Sequence, residues 1–142
     1  MPDTTTDNDT EATVALIRAL VQNIDGPDVD WENWESMAIV ISSYGGRFNS
    51  ASGYTYSPDG TISAVAARPS KVLPAVDAYV SGYFKPDEKL PVMLLVQFDK
   101  KSGKYSILFE DTDETRWKIT PKNYQELREK LRPNFDATET TE

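Results

Sequence analysis

Tyr54-Thr55-Tyr56-Ser57-Pro58-Asp59-Gly60, followed by the run Thr61 to Ala67, decides how this chain folds. Proline presets φ at the second position of a tight turn and glycine accepts the positive φ that closes one, so Ser57-Pro58-Asp59-Gly60 predicts a reversal between two strands. Phe48, Tyr54 and Tyr56 share one parity of the first strand, which sets them on one side of the hairpin. A second hairpin follows from the apolar or alternating runs Val92–Phe98 and Tyr105–Phe109, joined by the polar Asp99-Lys100-Lys101-Ser102-Gly103.

Upstream, Trp34 to Tyr44 carries the nearly continuous apolar run Met37-Ala38-Ile39-Val40-Ile41 and stops at Gly45-Gly46. A run of that kind predicts a central strand buried on both sides. From Glu11 to Ile24, Val14, Ile17, Val21 and Ile24 recur at helical spacing, with Asp9 or Thr10 as cap and Asp25-Gly26-Pro27 as the exit. Ser70 is placed to cap a second helix through Tyr83, with Pro74 expected in its first turn and Gly82 and Pro86 closing it. Thr120-Pro121 then starts a third, in which Tyr124, Leu127 and Leu131 share a face before Pro133 ends it. The order α-β-β-β-α-β-β-α, with hairpins in place of alternating strands and helices, predicts an α+β domain: an antiparallel sheet of about five strands with helices packed on one face. A single domain is expected over residues 10–133, between acidic, disordered tails at 1–9 and 134–142.

Composition narrows the chemistry. With 39% hydrophobic and 27% charged residues among 142, the chain has enough apolar material for a core. Its formal net charge of -8 argues against direct binding of nucleic acid, whose affinity for proteins comes largely from cationic side chains, and favours a basic protein partner. There is no cysteine and no histidine, which removes disulfides, thiolate nucleophiles, His-dependent triads and Cys- or His-ligated metal sites. No nucleotide-binding or zinc-protease motif occurs, and Gly45-Gly46 before Arg47 reads as a turn rather than a phosphate cradle. No cofactor is expected. The segment Met1 to Thr10 is acidic and polar, unlike a secretion signal, and the longest strongly apolar run, Val92–Val96, is far below the roughly 20 residues of a membrane helix. A soluble, cytoplasmic protein is the expectation; the oligomeric state is left open.

Two acidic segments are the candidate contact surfaces. Glu110, Asp111, Asp113 and Glu114 fall within five positions at the end of a predicted strand. They suit contact with a basic protein, where opposite charge speeds encounter and selects the partner; the plain alternative is a solvated loop. As a calcium site the segment lacks the spacing and mid-loop glycine of an EF-hand, and a glycosidase-type carboxylate pair would need a partner from elsewhere in the chain. The second segment holds Asp25, Asp28, Asp30, Glu32 and Glu35 interleaved with Trp31 and Trp34. Tryptophan inside a charged rim is the composition of an interface hot spot; the plain alternative starts a core strand with Trp34 and lays Trp31 over the first helix. Trp117 is expected beneath the last helix, and Tyr44, Tyr54 and Tyr56 near Arg47 are expected on a half-exposed sheet face.

Several local phrases resemble the YezG-like family of bacterial immunity proteins. They are the Ile24-Asp25-Gly26-Pro27 helix exit, the Trp-led first strand, the Tyr54–Gly60 hairpin, and Gly103-Lys104-Tyr105-Ser106-Ile107-Leu108-Phe109-Glu110-Asp111 followed by Arg116-Trp117. The resemblance spans roughly residues 11–132 and implies a protein that neutralises a cognate toxin, commonly a nuclease, by binding it. It carries no catalytic residues. Two other classes remain open from the residues alone: a small enzyme using carboxylates or a divalent metal at 110–114, and an adaptor or chaperone that holds a partner without inhibiting it.

Overall fold

Two strands with unbroken apolar runs require cover on both sides, and the computed structural model, which describes residues 6–27, 29, 31–44, 47–82, 84–85 and 87–133, provides it. In chain order the elements are α1 (Thr6–Asn23), β1 (Ile24–Asp25), β2 (Ser36–Tyr44), β3 (Arg47–Tyr56), β4 (Ile62–Ala67), α2 (Pro69–Ser81), β5 (Met93–Asp99), β6 (Tyr105–Glu110) and α3 (Tyr124–Lys130). Among the described residues all strands join one antiparallel sheet of six, ordered β1-β4-β3-β2-β5-β6. The expected α+β class holds. The sixth strand is β1, two residues that pair Ile24 with Ala67 and Asp25 with Ala66, too short for any periodicity to announce.

The expectation that helices pack on one face is corrected. Helices α1 and α2 cover the face that presents Met37, Ile39, Ile41, Val65, Leu94 and Val96, burying Leu16, Leu20, Val72 and Val76 against them. The other face presents Ala38, Val40, Tyr54, Tyr56, Met93 and Leu95, and is covered by Trp117, Leu127 and Leu131 from the C-terminal segment. The physical reason lies in β2: Met37 to Ile41 are all at most 4% exposed, so even and odd positions alike demand an apolar layer.

A bulge explains a second departure. Ser42 pairs with Ser50 but Ser43 pairs with Phe48, so Asn49 is an extra residue in β3. That single insertion reverses parity, and Phe48 packs with the α1/α2 core while Tyr54 and Tyr56 pack under α3. Near the sheet centre, a Cβ added to Gly53 would collide with the Ala38 carbonyl, so glycine is what permits β3 and β2 to approach there.

Both hairpins close as expected. Gly60 takes φ 94°, Gly60 N–H donates to the Ser57 carbonyl at 3.0 Å, and Asp59 Oδ1 accepts the Thr61 N–H at 2.9 Å. In the β5–β6 turn Gly103 takes φ 78° and donates to the Asp99 carbonyl, while Asp99 N–H donates to Lys104, both at 2.8 Å.

Helix boundaries shift modestly. Residues 6–9, expected in a tail, belong to α1; residues 1–5 and 134–142 lie outside the described residues. The N-cap of α2 is Arg68 with Pro69 in the first turn, not Ser70, and Pro74 falls in the second turn on the exposed side. Thr120 acts one turn ahead of α3 proper: Thr120 N–H donates to Asn123 Oδ1 at 2.7 Å and Asn123 N–H returns to Thr120 Oγ1 at 3.2 Å. This reciprocal pair satisfies donors a helix start leaves open.

Candidate binding surface: the acidic loop and the cleft beside it

Glu110 ends β6, an outer strand of the sheet, opposite Met93. Its carboxylate faces back into the following loop, where it accepts N–H bonds from Thr112 at 3.3 Å and Asp113 at 3.0 Å and a charge-assisted bond from Arg116 Nη1 at 2.9 Å. Asp113 is engaged too, with Oδ1 accepting the Thr115 N–H at 2.9 Å and the Thr115 hydroxyl at 2.7 Å. Arg116 lies 4.5 Å from the ring centre of Trp117, which is buried in the core beneath α3 as expected. The loop is therefore pinned at both ends, by strand pairing and by a buried indole.

This geometry divides the four acids. The Asp113 N–H, then the Arg116 and Thr112 bonds, hold Glu110 below the ordinary glutamate range. The Thr115 hydroxyl and N–H do the same for Asp113. Both stay ionised at neutral pH, the opposite of the raised value a general acid needs. Asp111 and Glu114 are exposed and direct their charge outward from an ordered frame. Among the described residues no group of three metal-ligating side chains comes together.

Glu114 also borders a cleft of about 330 Å³ whose lining includes Ser42, Ser43, Asn49, Ser50 and Lys118. The bulge residue Asn49 lines it together with the small polar residues of the β2–β3 pair. Ser43 is fixed there, its N–H donating to the Val92 carbonyl at 2.9 Å and its hydroxyl to the same oxygen at 3.2 Å. Sequence reasoning missed this cleft. The available signal was the recurrence of Ser42, Ser43, Ser50 and Ser52 on two paired strands, where apolar or β-branched residues are the norm.

The second acidic segment lies elsewhere. Glu35 precedes β2, its N–H donating to the Tyr56 carbonyl and its own carbonyl accepting the Lys100 N–H, both at 2.7 Å. Lys100 thus follows the Asp99 end of β5, whereas Glu110 pairs with the Met93 end. At about 3.3 Å per residue the length of β5 separates the two by roughly 20 Å. The acids form two surfaces rather than one. Trp31 is 47% exposed, while Trp34 is buried in the larger core with Lys100 Nζ 4.2 Å above its ring. Glu32 is exposed beside Trp31; Asp28 and Asp30 lie outside the described residues.

Tyr54 and Tyr56 do not form the expected half-exposed face. Both are buried, and their hydroxyls donate to the main-chain carbonyls of Tyr124 at 3.5 Å and Arg128 at 2.7 Å. An apolar groove of about 420 Å³ runs between Val14, Ile17 and Val21 of α1 and Phe98 and Tyr105 of the second hairpin, with Arg18 and Lys100 at its sides. Nothing in the sequence announced it, since α1 and the hairpin are distant in the chain.

No protein-family model, curated protein or solved structure matches the chain. No helix among the described residues is long and apolar enough to cross a membrane.

Proposed function

We propose that this chain is an immunity-type binding protein that neutralises a cognate bacterial toxin, a nuclease or similar basic domain, by gripping it through acidic surface in the cytoplasm. The observation that carries this is the division of labour in the 110–116 loop. Glu110 and Asp113 hold the backbone in place, and Asp111 and Glu114 project from it already ordered. Charge presented on a fixed frame steers a basic partner without the entropic cost of ordering a mobile loop on contact. The net charge of -8 and the resemblance to the YezG-like family point the same way. Trp31 with Glu32 and Glu35, at the other end of the sheet, is the second candidate contact.

The test is calorimetric titration of the purified chain with the toxin domain encoded beside it. Asp111→Lys with Glu114→Lys is expected to weaken binding by at least about tenfold and to flatten its salt dependence, because exposed charges act chiefly through screened Coulomb attraction. Loss of affinity from Trp31→Ala with none from the double charge reversal would move the contact to the opposite end. Absence of binding and of protection in cells would overturn the reading.

A further inference from the structure

We propose that β6 is a self-complementary edge through which two copies of this chain pair antiparallel about a two-fold axis, extending the sheet from one copy into the other. The inference rests on backbone direction, exposed apolar side chains and the placement of charge along one strand. It does not rest on toxin binding, although the acidic loop it uses is the one proposed above to meet a toxin.

Among the described residues β6 pairs with β5 on one side only and ends the sheet. Because Asp99 donates its N–H to Lys104 at 2.8 Å, alternation along an antiparallel ladder turns the N–H and C=O groups of Ser106 and Leu108 toward β5, and those of Tyr105 and Ile107 away from it. Outer strands in proteins are ordinarily blunted by proline, by lysine within the strand, by a bulge or by shortness. Tyr105-Ser106-Ile107-Leu108-Phe109-Glu110 has six residues with neither proline nor lysine, and Tyr105 and Leu108 stand 48% and 43% exposed.

Charge names the occupant. One end of β6 adjoins Lys100, Lys101 and Lys104; the other carries Glu110, Asp111, Asp113 and Glu114. A parallel neighbour of the same kind would set like poles together. An antiparallel one sets each lysine turn against the acidic loop of the other copy, and the two-fold repeats the match. The register centred on Ile107 places Ile107 opposite its own equivalent, Tyr105 opposite Phe109, and Lys104 opposite Glu110. Aromatic and opposite-charge cross-strand pairs each favour such a ladder. At physiological ionic strength charges are screened over about 8 Å, so these contacts are felt while most of the repulsion between two acidic bodies is not. A contact built on one strand from each copy is smaller than a standard interface, so the dimer is weak and salt-sensitive.

Light scattering on a sizing column, with the full chain at about 100 µM at physiological ionic strength, where a micromolar dimer is populated, tests this. The expected mass is twice the 15.9 kDa of one chain, falling toward the monomer as salt is raised. Lys101→Glu and Glu114→Lys, both at exposed positions, are each expected to give monomer, because each sets like charges together twice. Mixing the two variants is expected to restore a dimer, since both contacts then join opposite charges. Tyr105→Pro removes an outward N–H without breaking the β5 ladder and is expected to abolish dimerisation in the otherwise unaltered chain. A monomeric wild type at physiological ionic strength, a dimer unmoved by the single variants, or a mixture that stays monomeric would each overturn the proposal.

Discussion

On one face of the sheet lie two helices of 18 and 13 residues, locked by a continuous apolar core; on the other lie a seven-residue helix and irregular chain. The first cover is held by area. Leu16, Leu20, Val72 and Val76 are fully buried against Met37, Ile39, Ile41, Leu94 and Val96. The second has a smaller core around Trp117, Leu127 and Leu131, and the sheet supplements it with side chains that reach main-chain carbonyls: Tyr56 to Arg128, Tyr54 to Tyr124, and Gln97 Nε2 to Leu131 at 2.8 Å. The lesson is that a short helix, marginal by itself, is held where donors from the sheet meet its main-chain carbonyls as well as where its apolar stripe lands.

The largest effect should come from the first face. Leu20→Ala leaves a cavity between α1 and the sheet and is expected to cost about 3–5 kcal/mol, read from denaturant unfolding. On the second face Tyr56→Phe leaves the Arg128 carbonyl without its donor, at an expected cost of about 1–2 kcal/mol. Native-state hydrogen exchange should show residues 117–131 opening in that variant while the amides of β2 keep their protection. Equal loss of protection in both regions would show that the two covers unfold as one.

A subtler difference is expected at alkaline pH. Burial raises the Tyr56 hydroxyl well above its ordinary value of 10.0, a shift only partly offset by Arg132, whose guanidinium lies 4.9 Å from the ring centre. Burial raises Tyr54 as well. The folded chain then keeps protons that the unfolded chain releases, so this contribution is full below pH 10 and declines above it as the unfolded tyrosines ionise. Urea midpoints followed upward from neutral pH should fall beyond about pH 10, and less steeply in Tyr56→Phe.

The smallest effect belongs to Glu110, whose lowered pKa has the opposite sign. Its contribution is present above the ordinary value of 4.5 and is lost as pH falls through its folded-state value. Amide chemical shifts of Thr112 and Asp113 should therefore move together with acidification in the wild type, and Glu110→Gln should abolish that coupled titration. A coupled titration that persists in the variant would mean that Glu110 is not the group that holds these two amides.

What the sequence made legible was what local chemistry governs. Ser57-Pro58-Asp59-Gly60 and Ser102-Gly103 each require a turn, and Met37–Ile41 requires two-sided burial. The second layer was implicit in that burial, but which residues supply it depends on a segment some 75 residues later, Trp117 to Leu131, and periodicity carries no information across that distance. The fate of Phe48 was hidden because one inserted residue, Asn49, reverses parity without leaving a compositional trace. At the site, the clustering of Glu110 to Glu114 was visible. That two of the four acids serve the loop itself was not, since the distinction depends on where Arg116 and the Thr112, Asp113 and Thr115 amides point. Likewise the distance between the two acidic segments follows from strand register alone.

The donors that fasten the C-terminal helix end on peptide oxygens, which every amino acid offers alike. Tyr54, Tyr56 and Gln97 therefore impose a path on this segment while leaving the identity of its outward positions unspecified. Gln125, Glu126 and Lys130, all exposed, can be rewritten in size or sign with little penalty to folding. Such a surface is suited to diversification, with an unchanged scaffold displaying a new face to each new neighbour.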